Sequence, residues 1–245
     1  MNIKLIILKF LPPSFRAFLR WVHAKLFDIY VVKAYSQEGE DLIMQRIFAG
    51  KTDGFYVDVG AHHPRRFSNT YLFYRQGWRG INVEPNPDFA ADFMRERKRD
   101  INLQLGVSDC RGSLTYYQFN DPALNSFDRE LTEARLANTS YKLLGTQEIS
   151  VERLERILEQ HVPSGVQIDF LSIDVEGLDM AVLRSNNWSL YRPRYVLAES
   201  LETSLEDALQ GEVYAFMKTQ GYKLFGKTLN TLIFQEDNGD AGPKA

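Results

Sequence analysis

One cysteine, Cys110, stands in 245 residues. It has no intrachain partner, so no disulfide framework supports this chain, and a lone cysteine is far more often an ordinary reduced residue than a nucleophile. Long apolar runs are missing too. The most apolar stretch, residues 1–11, is interrupted by Lys4 and Lys9 and closed by Pro12 and Pro13. It falls short of the ~20 apolar residues that cross a bilayer and lacks the small-residue cleavage pattern of a signal peptide. Nor is there a basic excess: with a net charge of −3, a nucleic-acid partner is not expected. No internal repeat or low-complexity linker divides the chain. What is present is ordinary globular composition, 44% hydrophobic and 25% charged, at a length that suits one α/β domain with small additions. The cytoplasm is the default compartment.

Two short segments carry most of the information. Phe55-Tyr-Val-Asp-Val-Gly-Ala61 reads as a buried parallel strand ending in an acid, one residue, then glycine. About two dozen residues on, Gly80-Ile-Asn-Val-Glu-Pro85 is a second strand ending in a carboxylate, at the distance where a Rossmann-like fold places its ribose-binding acid. A dinucleotide site needs further glycines so that backbone amides can approach a pyrophosphate, and here Gly60 is followed by Ala61-His62-His63-Pro64. An NAD-dependent sugar oxidoreductase is therefore disfavoured. S-adenosylmethionine has no phosphate to cradle: Gly60 lets the backbone turn beneath it, Asp58 can meet its ammonium, and Glu84 can take both ribose hydroxyls.

The order of elements fits this reading. A helix is expected over 41–49, closed by Gly50. Another runs to Arg75 with Ser68 as cap and Gly77 as stop, followed by a helix over 87–99. Strands are expected at 101–107 and 112–119, then a weakly patterned stretch, 120–146, suited to a lid or substrate loop. A helix over 151–160, a strand over 170–174 ending in Asp174, and a helix over 178–184 come next. A strand at 195–198 ends at Glu199; a helix over 205–219 and a hairpin, 222–226 with 231–235, complete the domain. The sum is an α/β fold with a mostly parallel sheet of about seven strands flanked by helices.

These residues resemble the FkbM-type methyltransferases, within the Rossmann-like class I methyltransferases. The resemblance rests on Ser36-Gln37-Glu38-Gly39-Glu40-Asp41-Leu42, Val57-Asp-Val-Gly-Ala61, Ser68-Asn-Thr70, Val83-Glu-Pro-Asn86, Gly106-Val-Ser-Asp109 and Ile173-Asp-Val-Glu-Gly177, in the family's order over roughly residues 35–200. Any single block is weak; the ordered set is specific. The departure is His62-His63-Pro64, where many members carry asparagine, a variable residue and glycine. The resemblance implies cofactor contacts at Gln37, Asp58, Gly60, Ala61, His62, Asn69, Glu84, Asn86, Ser108 and Asp109. Ser108 and Asp109 would lie near the adenine; Gln37 and Glu38 would fold over the cofactor, unless they simply cap a helix.

Methyl transfer to oxygen needs a base close to the acceptor hydroxyl. Asp174 is the leading candidate, as base or acceptor-orienting group, with Glu176 in support; His63, whose ordinary pKa suits the task, competes. A divalent ion held by Asp174, Glu176 and His62 or His63 is an alternative that no tight ligand spacing demands. The acceptor implied is a small-molecule or glycan hydroxyl, with saccharide or glycolipid as first guess. A scaffold that binds cofactor without catalysis is the rival from another class.

At the N-terminus, Ser14 can cap a helix to about Tyr30 with Phe15, Phe18, Leu19, Val22, Leu26 and Phe27 on one face. Residues 1–33 hold Lys4, Lys9, Arg16, Arg20, Lys25 and Lys33 against one acid, Asp28. This arm either packs on the domain, or on a second subunit of a homo-oligomer, or touches an anionic membrane face. The expected division is an arm, 1–34, a methyltransferase domain, 35–236, and a flexible tail, 237–245.

Overall fold

The computed structural model describes residues 12–26, 30–202 and 204–237. Residues 1–11, 27–29 and those beyond 237 lie outside the described residues, and with them the apolar N-terminal stretch, Phe27 and nearly all of the tail. The chain divides into two units, Met1–Lys33 and Ala34–Ala245. In the first, α1 (Pro13–Leu26) begins on a proline, whose missing N–H costs nothing in a first turn. Phe15, Phe18 and Trp21 follow one another at three-residue spacing, with ring centroids 6.3 and 6.2 Å apart. Among the described residues no helix is long and apolar enough to cross a membrane.

The second unit is built on a seven-stranded sheet. Its elements are α2 (Glu40–Ile47), β1 (Phe55–Val59), α3 (Tyr71–Arg75), β2 (Arg79–Val83), α4 (Pro87–Glu96), β3 (Ile101–Leu103), β4 (Gly106–Val107), β5 (Gly112–Phe119), α5 (Arg129–Asn138), β6 (Leu143–Glu152), α6 (Leu154–His161), β7 (Phe170–Ile173), α7 (Asp179–Arg184), β8 (Tyr195–Glu199), α8 (Leu205–Ala208), α9 (Glu212–Thr219), β9 (Tyr222–Lys227) and β10 (Thr231–Glu236). The sheet order is β3-β2-β1-β7-β8-β10-β9. The first five strands are parallel, and β10 is antiparallel to both neighbours. From β1 the chain winds outward to β3, then returns to the other side of β1 as β7. That reversal makes the carboxyl ends of β1 and β7 the crevice where open α/β sheets bind ligands. This is a Rossmann-like α/β architecture, a mostly parallel sheet flanked by helices, as the sequence pattern predicts.

Period-two alternation assigns each strand residue a face. In β1, Phe55, Val57 and Val59 join a core with Leu154, Leu158, Val182 and Met217 of the helices on one side. Tyr56 faces the other, where Phe170, Leu197 and Ile233 meet Met44 of α2, Phe73 of α3 and Trp78. Asp58 shares the Tyr56 face.

Some boundaries differ from the sequence pattern. The strand expected over 101–107 divides: β3 stays in the main sheet, while β4 leaves it to pair with β6 in a second sheet, β4-β6-β5. Gly106 permits this close approach, since a Cβ there would stand 2.7 Å from the Phe127 ring. The 120–146 stretch holds a 3-10 turn (Pro122–Leu124), α5 and the start of β6. Strand β6 runs on to Glu152, so the following helix starts at Leu154. The helix expected over 205–219 is two, α8 capped by Ser204 and α9 by Gly211, where a Cβ would meet Glu202 Oε1 at 2.7 Å.

Phe170 is fully buried, with the Phe73 ring 5.0 Å and the Tyr56 ring 5.8 Å away. Phe170→Ala is expected to cost about 3–5 kcal/mol, read as a lower urea midpoint with an unchanged slope.

Candidate active site

Three turns meet at the crevice. After β1, Gly60 takes a left-handed conformation (φ 76°), and the amides of Gly60 and Ala61 both donate to the Val83 carbonyl at 3.0 and 3.1 Å. A Cβ on Gly60 would lie 1.8 Å from the Asp174 carbonyl oxygen, so the β1 and β7 turns touch backbone to backbone. After β2, the Glu84 carboxylate accepts from the His62 amide and the Asn86 amide, each at 2.7 Å. Asn86 then caps α4 by accepting from the Asp88 amide at 3.1 Å, with Pro87 at the first helical position.

Asp58, Gly60, Ala61, His62, Asn69 and Glu84 line one cavity, together with Gln37, Asp174 and Glu176. Three non-glycine residues among those described have positive φ: His62 (52°), Phe67 (56°) and Glu176 (54°). All three line this cavity. Such strain, about 1–2 kcal/mol per residue, persists where surrounding contacts fix it, and it concentrates at functional sites.

The cavity is rich in carboxylates and short of cations. Burial pushes Asp58 up to about 6 and Glu84 up to about 8. Asp174 is exposed to the cavity; desolvation by the surrounding walls and then the neighbouring Glu176, Asp179 and Asp58 raise its pKa well above the usual range. Glu176 is raised by burial and partly relieved by its ion pair with Arg135, and Ser126 Oγ donates to its carbonyl at 2.6 Å. Glu199, at the end of β8, is pushed up to about 10 by burial and by Asp174.

Past Asp174 a second chamber opens, sharing Gln37, Phe67, Asn69, Asp174 and Glu176 with the first. Its wall adds Glu38, Glu40, Glu199, Arg135, Asn230 and Thr231. The 36–41 segment is moored there: Glu38 Oε2 accepts from the Asn230 amide at 2.8 Å and Glu40 Oε1 from Thr228 Oγ1 at 2.9 Å. Gln37 thus reaches both compartments, while Glu38 serves the mooring.

Four expected site residues lie elsewhere. His63 lines neither compartment; its Nδ1 accepts from the Arg65 and Arg66 amides at 3.0 and 3.1 Å, a turn-closing task. Asn86 is buried in its capping role. Ser108 is buried and Asp109 exposed, and neither lines the cavity; the wall there is Leu105, Gly106 and Val107. Tyr116 of β5, Asn125 and Phe127 also line it and had no clear sequence signal, beyond the 120–146 stretch having the length and polarity of a site loop.

Carboxylate oxygens of Asp174, Glu176 and Glu199 come within 4.8 Å of one another, close enough to share a divalent cation. His62 and His63 are not in that group. The His62 ring is instead wedged 4.9 Å from Phe89 and 6.0 Å from Phe67, and burial lowers its pKa to about 4.

A family model described as the Methyltransferase FkbM domain matches residues 58–224, more than half of the chain, including Asp58, Glu84, Asp174 and Glu199. The chain belongs to the FkbM methyltransferase family. Membership makes it an S-adenosylmethionine-dependent methyltransferase and removes the oxidoreductase alternative. No curated protein matches it by sequence. Solved structures similar in fold include a TehB-like SAM-dependent methyltransferase from Corynebacterium glutamicum, at 10% identity and TM-score 0.39, covering 91% of this chain and 97% of that one. Another is the Burkholderia thailandensis 1,6-didemethyltoxoflavin-N1-methyltransferase with bound 1,6-didemethyltoxoflavin and S-adenosylhomocysteine, at 12% identity and TM-score 0.40, covering 93% and 91%. Likeness at this level says nothing about the acceptor.

The contact between the two turns gives the FkbM-type site its sharpest steric test. Gly60→Ala is expected to lower stability by about 2–4 kcal/mol, because both the positive φ and the Asp174 backbone oppose a methyl group. Thermal unfolding measures that loss, and calorimetry should show cofactor affinity reduced at least tenfold, about 1.4 kcal/mol.

Proposed function

We propose that this chain methylates a hydroxyl of a small uncharged acceptor, a saccharide or a glycolipid head group. The supporting observation is the second chamber: among the described residues, five carboxylates, Glu38, Glu40, Asp174, Glu176 and Glu199, face a single guanidinium, that of Arg135. A phosphorylated or carboxylated acceptor would be repelled there, whereas a polyhydroxylated neutral one finds acceptors and the amides of Asn69 and Asn230.

The first cavity fits the cofactor. No lysine or arginine lines it among the described residues, so it suits a cation and not a pyrophosphate. Asp58 would hold the ammonium, Glu84 the ribose hydroxyls, and Leu105, Val107 and Phe127 would enclose the apolar end. When bound, S-adenosylmethionine supplies an electrophilic methyl on a sulfonium. Asp174 stands where the two compartments meet, in place to receive a proton from an acceptor hydroxyl once the cofactor's positive charge favours its ionised form. Glu176, fixed by Arg135, orients the acceptor beside it. The arm, residues 1–34, we read as an attachment to an anionic, cytoplasmic membrane face, supported by its six basic residues against one acid and its row of neighbouring aromatic rings, Phe15, Phe18 and Trp21.

Asp174→Asn is expected to lower kcat by about 10²–10⁴ while cofactor affinity stays within about threefold. Methyl transfer from labelled donor should appear with neutral glycosides and not with their phosphorylated counterparts; transfer only to amines or anionic sugars would refute the acceptor reading. Co-sedimentation with anionic liposomes should fall at least fivefold on deleting residues 1–30, and an unchanged bound fraction would end the membrane reading.

A further inference from the structure

A polar row crosses the sheet beneath the cofactor cavity. Asp58 of β1 is in register with Asn82 of β2 and Ser172 of β7, and Asn82 with Asn102 of β3. Arg97, just past the end of α4, is completely buried against this row. Its Nε donates to Asp100 Oδ2 at 2.9 Å and its Nη1 to the Pro64 carbonyl at 3.0 Å. Nη2 donates to the Tyr56 hydroxyl and to Thr70 Oγ1, both at 2.9 Å, with Asn82 Oδ1 at 3.4 Å. Because Thr70 Oγ1 accepts from a guanidinium, its own proton is directed elsewhere, and Asp58 Oδ2 lies 2.7 Å away to receive it.

Neither Arg97 nor Thr70 lines the cavity, so neither touches a ligand. We propose that Arg97 and Thr70 are positioning residues that keep Asp58 ionised and hold one of its carboxylate oxygens, leaving the other to receive a cationic group in the cavity. The same guanidinium, through the Pro64 carbonyl, ties the loop after Gly60 to that carboxylate. This inference rests on the reading of Asp58 as the ligand of the cofactor's ammonium.

Several charged and titratable groups face Asp58: Tyr56 beside it in β1, Glu84 after β2, Arg97 and Asp100 after α4, and Asp174 after β7. Among them Arg97 is the cation. Burial raises Asp58; the Thr70 hydrogen bond, then the Arg97 charge and, less, a hydrogen bond from Ser172 work against that rise, Asp100 adds to it, and the balance leaves it at about 6. Removing the Thr70 hydroxyl therefore raises the pKa further. Affinity for a cation is fully present above the Asp58 pKa and is lost as pH falls through it, so the variant's loss must be greatest in acid. A purely structural role for Thr70 would weaken binding equally at every pH.

The test is a carbon-13 NMR titration of the Asp58 carboxyl in the free protein, paired with calorimetric titration by S-adenosylmethionine at pH 6 and pH 8. Thr70→Val and the smaller Thr70→Ala remove the hydroxyl independently; Thr70→Ser restores it. The Asp58 pKa should rise by about one unit in the first two and return to within about 0.3 of wild type in the third. The affinity deficit should be about fivefold at pH 6 and below about 1.5-fold at pH 8. An unmoved Asp58 pKa, or an equal deficit at both pH values, overturns the proposal. A shifted Asp58 pKa in a protein whose wild type binds no S-adenosylmethionine upholds the Arg97–Thr70 control of Asp58 and refutes the cofactor assignment alone.

Discussion

Unbalanced negative charge at the carboxyl edge of the sheet is the constraint on which this structure depends. Asp58 is the penultimate residue of its strand, Glu199 the last of its own, and Glu84 and Asp174 stand one residue beyond theirs, and the strand order brings those ends together. Burial raises the pKa of all four. Such a group of carboxyls is unfavourable unless some are protonated or a positive ligand arrives. The protein spends its own cations sparingly there: Arg97 stands behind Asp58 and Arg135 beside Glu176. A sulfonium carrying an ammonium group is the kind of ligand that completes the electrostatics.

Rigidity follows from the same place. Where the β1 turn meets the β7 turn there is no room for a side chain at position 60, and Gly60 and Ala61 are both anchored on the Val83 carbonyl. The strained residues His62, Phe67 and Glu176 are held by contacts that reach across the site: the Glu84 carboxylate, the Phe67–His62 ring stack and the Arg135 ion pair. Each turn is therefore fixed by another turn, which is how loops come to hold a cofactor geometry that sheet strands alone would hold.

Much of this was legible in the sequence because it depends on local pattern. Largely apolar segments such as Phe55–Val57 and Phe170–Ile173 mark strands buried on both faces, and the acid that follows each, Asp58 and Asp174, marks the crevice. The division of 101–107 was not legible: Ile101 to Val107 reads as one strand, and only the approach of Phe127 to Gly106 shows where the chain leaves the sheet. His63 was equally opaque, since a histidine on a cofactor loop reads as a base until its Nδ1 is seen closing a turn on Arg65 and Arg66. Tyr116, Asn125 and Phe127 reach the cavity through the small sheet and its loop, a packing that no spacing rule encodes. Nothing in the sequence pattern singled out Arg97, and its burial beside Asp58 is a tertiary fact.

The central claim, that a cation completes this carboxylate cluster, is tested most directly by counting protons. Calorimetric titration with S-adenosylmethionine at pH 7, repeated in buffers of different ionisation enthalpy, gives the number of protons exchanged on binding. Carboxyls raised by burial and mutual repulsion must lose protons when positive charge enters, so net proton release is predicted, and less of it with S-adenosylhomocysteine, whose sulfur is neutral. Binding with no proton exchange, or with uptake, would contradict the account.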